Sequence, residues 1–221
     1  MTLRLDGHDV AALVFDLDGL LVDSEPVWFE IERAFLARLG HTWTRHDADA
    51  CIGQGTPSTL RVWQRRFGIE VDLERDTEAM MDGVIARAAD VPLKPGAVEL
   101  LDLAARHGTP TAVASSSRHR LIEAVLAAKR LRARFTAVVS GQDVARGKPA
   151  PDIFVRAADV LKVSPRGCVV LEDALAGVEG ARAAGSHVIA VPSTRNPRFA
   201  ELATHVVPSL HEAAALLDPT R

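Results

Sequence analysis

Residues 10–19 read Val10-Ala11-Ala12-Leu13-Val14-Phe15-Asp16-Leu17-Asp18-Gly19, an apolar run that ends in two aspartates and a glycine. Short runs of this kind, rich in Val, Ile or Ala and closed by charged or turn residues, are typical of buried parallel strands. Residues 11–15 are therefore predicted as a strand. Because alternate residues of an extended chain point the same way, the side chains of Asp16 and Asp18 are expected on one side.

The same kind of apolar run recurs along the chain and alternates with helical periods. Further strands are predicted at residues 111–114, 137–140, 168–171, 187–191 and 205–207. Helices are predicted between them at residues 97–106, 118–128, 151–161, 175–184 and 210–217. The repeated strand–helix–strand order predicts the α/β class, with a doubly wound parallel sheet in a Rossmann-like core.

One interval has a helical period throughout and no strand pattern. Helices are predicted there at residues 25–39, 57–67 and 73–89. Because such a block is too long for an ordinary connection between a strand and the next helix, it indicates an inserted helical domain. Linkers are expected at residues 20–24 and 91–96, the second rich in Pro and Gly. We therefore predict a core of residues 1–20 and 94–221 with a small α-helical domain at 21–93 inserted into it.

Composition excludes several classes of protein. The chain has 221 residues, and its 29 acidic and 26 basic side chains give a net charge of −3. Nucleic-acid binders normally carry a basic excess, so no nucleic-acid partner is expected. Two cysteines are too few for a disulfide framework and are typical of a reducing compartment. No apolar stretch has the length of a signal peptide or a membrane span, so we expect a cytoplasmic protein without a membrane partner. A monomer is expected rather than an oligomer.

Ligands of open α/β sheets bind just beyond the carboxyl ends of the strands. Besides Asp16 and Asp18, the residues that follow the predicted strands there are Ser115-Ser116-Ser117, Glu172-Asp173 and a loop with Gly147-Lys148-Pro149. Clustered carboxylates are costly unless a cation neutralises them, and carboxylates beside a phosphate suit Mg²⁺. A carboxylate also attacks phosphorus in some enzymes, while hydroxyl groups and lysines donate to phosphoryl oxygens.

Four stretches of the sequence resemble, in order, the four motifs of the haloacid dehalogenase superfamily. They are Val14-Phe15-Asp16-Leu17-Asp18-Gly19-Leu20-Leu21-Val22-Asp23-Ser24, Ala112-Val113-Ala114-Ser115-Ser116-Ser117, Gly147-Lys148-Pro149-Ala150-Pro151-Asp152 and Val170-Leu171-Glu172-Asp173-Ala174. Each motif is weak alone, but together they span most of the chain. A second aspartate two residues after the first is the pattern of the phosphatases and phosphomutases, and it disfavours a dehalogenase.

The resemblance implies a role for each motif residue. Asp16 would be the nucleophile that takes the phosphoryl group, and Asp18 the general acid that later becomes the general base. Ser115, Ser116 and Lys148 would bind the phosphoryl group and offset its charge.

The resemblance also implies a Mg²⁺ site. Its ligands would be Asp16, the backbone carbonyl of Asp18 and Asp173. Glu172 would be either a further ligand or a residue that orients the others, and the sequence leaves this open. Structural interpretations compete elsewhere: Ser117 is expected to cap the helix at 118–128, and Asp152 to favour the start of the helix at 151–161 electrostatically.

The inserted helices resemble the cap of the β-phosphoglucomutase-like branch, which implies closure over the active site and control of specificity. Gly53-Gln54-Gly55-Thr56 has the position of that branch's specificity loop, although a plain turn before a helix is the competing interpretation. Thr56 stands where the mutases carry an arginine, and Trp28 where they carry a histidine. Trp43 and Trp63 are expected to pack between helices rather than to bind ligand.

These residues predict a Mg²⁺-dependent phosphatase that acts on a small phosphorylated metabolite, a sugar or sugar-alcohol phosphate, through an aspartyl-phosphate. A β-phosphoglucomutase-like phosphomutase is the near alternative, and the residues at 28 and 56 count against it. A non-catalytic phosphate-binding or regulatory module is the alternative from another class. Because Asp16 and Asp18 are both present, that interpretation is disfavoured.

Overall fold

A computed structural model describes residues 2–49, 51 and 55–218 of the chain. The chain divides into two compact units. One, called here the core unit, is formed by Met1–Asp23 with Leu93–Arg221, and the other, the inserted unit, by Ser24–Pro92.

The core unit contains a parallel sheet. A short antiparallel pair comes first, β1 (Arg4–Leu5) with β2 (His8–Asp9). Among the described residues, six strands form the sheet: β3 (Ala12–Phe15), β4 (Thr111–Ser115), β5 (Ala137–Ser140), β6 (Cys168–Glu172), β7 (His187–Ala190) and β8 (His205–Val206). Their order is β5-β4-β3-β6-β7-β8, and every pairing is parallel. Each of the six strands lies where the sequence predicts it, with a shift of at most one residue at an end.

Four helices are described in the inserted unit: α1 (Glu25–Arg38), α2 (Arg45–Asp49), α3 (Thr56–Phe67) and α4 (Leu73–Ala86). They surround a buried cluster that includes Leu36, Leu60 and Met80. Trp43 and Trp63 lie in the same cluster with ring centroids 5.4 Å apart, so the prediction that they pack between helices is confirmed. The five-residue α2 was not predicted.

The helices of the core unit flank the sheet. They are α5 (Ala97–Arg106), α6 (His119–Ala128), α7 (Asp152–Leu161), α8 (Leu175–Ala183), α9 (Arg198–Leu202) and α10 (Leu210–Leu217). On one face of the sheet, Phe154 of α7 and Val178 of α8 share a buried cluster with Val14, Ala112 and Val170. The predicted α/β class with a Rossmann-like core is thus confirmed, whereas α9 was not predicted. No described helix has the length and apolar character that crossing a membrane requires.

The register of the sheet determines which residues meet at its carboxyl edge. Phe15 of β3 is paired with Val113 of β4 and with Leu171 of β6. Ser115 of β4 is paired with Ser140 of β5. The residues that follow these strands therefore emerge at one edge of the sheet, close to the point where the strand order reverses beside β3.

Candidate active site

Two acidic side chains meet at the centre of this edge. Asp16 directly follows β3, and its backbone N–H donates to the carbonyl oxygen of Leu171, 3.1 Å away. Glu172 is the last residue of β6. Asp16 is 7% exposed and Glu172 is 1% exposed, so both carboxylates are buried. The junction of β3 and β6 is the switch point of the sheet, where α/β proteins bind their ligands.

Lys148 lies between these two carboxylates. Its Nζ donates hydrogen bonds to Oδ1 of Asp16 and Oε1 of Glu172, and its side chain is 7% exposed. Burial alone lowers the pKa of a lysine, but the attraction of Asp16 and Glu172 together outweighs it and raises the pKa of Lys148 above its ordinary value. The lysine is therefore a fixed positive charge inside the site.

A third carboxylate completes an acidic cluster. Oxygen atoms of Asp16, Glu172 and Asp173 lie within 4.8 Å of one another. Burial raises the pKa of Asp16 to about 7, with Lys148 acting against the rise and Glu172 and Asp18 adding to it. The pKa of Asp173 is also raised well above its ordinary value, by burial first and then by Asp16 and Glu172. When all three carboxylates are ionised, their negative charge exceeds the single positive charge of Lys148, and a cluster of oxygen donors with that charge fits Mg²⁺.

Two glycines allow this cluster to be so compact. A Cβ on Gly19, whose φ is +94°, would lie 2.2 Å from Oδ2 of Asp173. A Cβ on Gly177, in the first turn of α8, would lie 1.7 Å from Oε1 of Glu172. Glu172 is held there because its Oε2 accepts a hydrogen bond from the backbone N–H of Ala174, 3.0 Å away. Neither close approach has a signal in the sequence, since both depend on packing.

The serine loop, defined as residues 116–118, directly follows Ser115, the last residue of β4. Ser115 is buried, and its Oγ accepts a hydrogen bond from the backbone N–H of Ser117, 3.1 Å away. Ser116 is exposed. The Oγ of Ser117 donates to Oδ2 of Asp18 at 2.9 Å. The prediction that Ser117 caps α6 is wrong, because Arg118 precedes the helix and no side-chain cap bond is present there.

The loop that carries Lys148 ends in Asp152, the first residue of α7. The carboxylate of Asp152 accepts two hydrogen bonds from Arg146, at 3.1 and 2.8 Å. These hydrogen bonds, and after them the positive charge of Arg146, lower the pKa of Asp152. Asp152 therefore pairs with Arg146, which precedes Lys148 in the sequence, in addition to lying at the start of α7.

The predicted specificity residues belong to the inserted unit. Thr56 is the first residue of α3, and Gly55, with a φ of +74°, directly precedes it. Trp28 lies on α1 and packs against the buried cluster of that unit. Gly53 and Gln54 lie outside the described residues. The assignment of these residues to specificity stays a prediction.

A known family matches the part of the chain that carries all four motifs. The model of the haloacid dehalogenase-like hydrolases matches residues 10–185. The chain belongs to this family.

Individual relatives of this haloacid dehalogenase-like hydrolase are phosphatases. Hexitol phosphatase B of Escherichia coli K12 is 33% identical over 217 residues, which cover 94% of this chain and 96% of that protein. The bifunctional riboflavin kinase/FMN phosphatase of Arabidopsis thaliana is 30% identical over 83% of this chain, and the match spans only 48% of that longer protein. The crystal structure of CbbY from Rhodobacter sphaeroides in complex with phosphate has a TM-score of 0.85 and 29% identity, covering 95% of this chain and 99% of that one.

The reaction class follows from the family and these relatives. The haloacid dehalogenase-like hydrolase described here is a phosphoric monoester hydrolase, as the motifs predict, and it acts on a small phosphorylated metabolite. Its core unit carries the acidic cluster at the edge where the four motifs meet.

Proposed function

We propose that the protein is a Mg²⁺-dependent phosphatase that hydrolyses a phosphorylated sugar or sugar alcohol through an aspartyl-phosphate on Asp16. One observation carries the proposal. The carboxylate of Asp16 is buried beside the charged Lys148. Asp18 follows Asp16 by two residues, and its carboxylate accepts a hydrogen bond from the hydroxyl group of Ser117. The groups to which we assign the roles of nucleophile, phosphoryl-binding charge and acid–base catalyst therefore lie together.

The reaction has two displacements at phosphorus. In the first, an oxygen of Asp16 forms a bond to phosphorus, the bond to the ester oxygen breaks, and Asp18 gives its proton to the departing alcohol. In the second, Asp18 takes a proton from water as the water attacks the phosphorus. The bond to Asp16 then breaks and inorganic phosphate is released. Lys148 offsets the negative charge of the phosphoryl group in both steps.

The Mg²⁺ ion would be held by Asp16, Asp173 and the backbone carbonyl of Asp18. Bound there, it would supply a positive charge that offsets the phosphoryl oxygens. Glu172 already accepts hydrogen bonds from Lys148 and from the backbone N–H of Ala174. These contacts support the interpretation that Glu172 orients Lys148 rather than serving as a direct ligand.

The substrate class rests on the similarity to hexitol phosphatase B and on the inserted unit. We assign specificity to Trp28, Gly55 and Thr56, together with Gly53 and Gln54, as the resemblance to the cap implies. Thr56 and Trp28 replace the arginine and histidine expected in a mutase, and this favours hydrolysis over isomerisation. The monomeric state and the cytoplasmic location stay predictions from the sequence.

A screen of phosphate release tests the proposal. Hexose phosphates, hexitol phosphates and glucose 1-phosphate are incubated with the protein and Mg²⁺, with and without EDTA. We expect phosphate from one or more hexose or hexitol phosphates, lost with EDTA and lost in Asp16→Asn. Conversion of glucose 1-phosphate to glucose 6-phosphate without phosphate release would establish the mutase instead. Absence of any turnover would favour the non-catalytic module.

A further inference from the structure

We propose that Ser117 is a positioning residue for Asp18, and that the turn after β5 holds it in place. The inference rests on the proposed function, because it gives Ser117 a role through the acid–base group of that reaction. Ser117 and Asp18 are 99 positions apart in the sequence, and their side chains join the loops that follow β4 and β3. A hydrogen bond from a hydroxyl group to one carboxylate oxygen restricts the rotation of the carboxylate.

Each polar group of Ser117 has its own partner. The backbone N–H donates to Oγ of Ser115 at 3.1 Å, and the backbone carbonyl accepts from Oγ of Ser140 at 2.6 Å. The side-chain Oγ donates to Asp18 at 2.9 Å. Ser115 is 1% exposed and Ser140 is fully buried, so both partners are fixed within the sheet. The hydroxyl of Ser117 therefore reaches Asp18 from a backbone that is held on both sides.

The turn after β5 binds His119, the first residue of α6, which directly follows the serine loop. The carboxylate of Asp143 accepts from the backbone N–H of Ser140 at 2.9 Å and contacts Nε2 of His119 at 2.8 Å. The Oε1 of Gln142 accepts from the backbone N–H of His119 at 3.0 Å. A Cβ on Gly141 would lie 2.9 Å from the carbonyl oxygen of Ser116, so turn and loop are in direct contact. These contacts hold the backbone on both sides of Ser117 and so fix the direction of its side chain.

The chemistry of the first displacement gives this hydrogen bond a measurable consequence. A general acid matters most when the leaving oxygen is basic, and a small misplacement of a catalytic group costs as much as about 10²-fold in rate. Without the hydroxyl of Ser117, Asp18 would be poorly oriented for proton donation. Loss of the hydroxyl should therefore slow the release of a basic leaving group more than that of a weakly basic one.

Two aryl phosphates of similar shape separate this role from others. Phenyl phosphate releases a phenol whose pKa is about 10, close to that of tyrosine, whereas p-nitrophenyl phosphate releases a much weaker base. For Ser117→Ala we expect kcat/KM to fall about tenfold or more with phenyl phosphate and by less than about twofold with p-nitrophenyl phosphate. Ser117→Thr keeps the hydroxyl and should recover most of the activity with phenyl phosphate. Ser140→Ala should show the same selectivity to a smaller degree.

Equal losses with both esters in Ser117→Ala would overturn the inference, because they would indicate phosphate binding or loop stability instead. Failure of Ser117→Thr to recover activity with phenyl phosphate, while it still turns over p-nitrophenyl phosphate, would also overturn it. If the unmodified protein releases phosphate from none of the screened hexose or hexitol phosphates and from neither ester, the proposed function fails and the inference fails with it. If the unmodified protein is active and only the variants behave contrary to expectation, the inference about Ser117 fails and the proposed function is retained.

Discussion

Arg146 and Asp152 form an ion pair with two hydrogen bonds that closes the loop carrying Lys148. The guanidinium Nε and Nη2 donate to the two carboxylate oxygens at 3.1 and 2.8 Å. Arg146 is 71% exposed and the side chain of Asp152 is 21% exposed. Exposed pairs contribute little to stability, but this paired geometry fixes the distance between the loop ends. Its effect is therefore expected on the position of Lys148 rather than on the fold.

The first prediction concerns this pair. Arg146→Met should raise the KM for p-nitrophenyl phosphate about two- to fivefold while kcat changes less, because in the proposed reaction Lys148 would contact the phosphoryl group in both ground and transition states. The melting temperature should stay close to that of the unmodified protein. Steady-state kinetics and thermal unfolding measure both effects. Arg106→Met is the matched control, since Arg106 ends α5 before β4, at the other end of the strand. Equal KM values in the two variants would contradict the prediction.

The second prediction concerns metal binding without turnover. A ligand that binds only the folded protein stabilises it by about 2.7 kcal/mol at a hundredfold excess over Kd. Mg²⁺ should therefore raise the melting temperature of the unmodified protein in the absence of substrate. The shift should be much smaller in Asp173→Asn, because that carboxylate belongs to the acidic cluster.

Asp159→Asn serves as the control for the metal prediction. Asp159 is an exposed aspartate on α7, so this variant loses the same charge without touching the cluster. Differential scanning calorimetry with Mg²⁺ and with EDTA gives the shift for each protein. An unreduced Mg²⁺ shift in Asp173→Asn would remove that residue from the metal site.

The third prediction concerns the packing of α8 against Glu172. Gly177→Ala would place a methyl group 1.7 Å from the present position of Oε1 of Glu172, which is fixed by Lys148 and by the N–H of Ala174. Overpacking of this kind costs about 1–3 kcal/mol. Urea unfolding should show that loss, and phosphatase activity should fall because Lys148 is displaced with Glu172.

Gly147→Ala is the stability control for this substitution. Nothing lies within 4 Å of a Cβ built at Gly147, and its φ is outside the left-handed region. Its free energy of unfolding should therefore change little. A Gly177→Ala protein as stable as the Gly147→Ala protein would show that α8 moves away from Glu172 at low cost.

The sequence predicted those parts of the fold whose signal is local. The helix at Ala97–Arg106 and the strand at Ala137–Ser140 have the predicted bounds, because apolar period and flanking turn residues agree there. The helix Arg45–Asp49 was missed because five mostly charged residues carry no apolar period. The pair of strands β1 and β2 has a local signal in the turn between them, which the pattern of long apolar runs does not include. Asp6 and Gly7 both have positive φ, as the Asp-Gly turn of a hairpin requires.

The residues of the candidate site also separate into those with a local signal in the sequence and those without one. The sequence predicts four residues of the site because each follows a strand or stands in a motif: Asp16, Lys148, Glu172 and Asp173. The structure brings these four residues together. The hydrogen bond of Ser117 with Asp18 was not predicted. It depends on the conformation of two loops distant in sequence, and a serine before a helix is more often its cap. Contacts made by loops and by close packing were thus beyond the sequence patterns.

The last prediction concerns a buried carboxylate of the inserted unit. The Nε1 of Trp43 donates to Oε2 of Glu32 at 2.8 Å. Burial raises the pKa of Glu32 to about 7; the hydrogen bond from Trp43 acts against the rise and the negative charge of Glu25 adds to it. Cys51 is close enough for Glu32 to contribute to the raised pKa of its thiol, second to burial.

Glu32 should make the stability of this unit depend on pH. Between about pH 4.5 and 7 the folded protein keeps a proton on Glu32 that the unfolded chain gives up, so the free energy of unfolding falls as pH rises through that window. Because the side chain is only partly buried, we expect a fall of about 2 kcal/mol. Glu32→Gln keeps an acceptor for Trp43 and has no carboxylate to ionise. It should remove most of this slope and be the more stable protein at pH 8.

Tryptophan fluorescence is suited to this measurement because the chain's three tryptophans, Trp28, Trp43 and Trp63, all lie in the inserted unit. Urea unfolding followed by fluorescence at pH 5, 6, 7 and 8 therefore reports on that unit. Glu30→Gln is the control, since Glu30 is an exposed residue of the same helix, paired with Arg33. It removes the same charge from α1 and should leave the slope in place. A slope that Glu30→Gln and Glu32→Gln reduce equally would assign the pH dependence to the net charge of the helix instead of to the buried carboxylate.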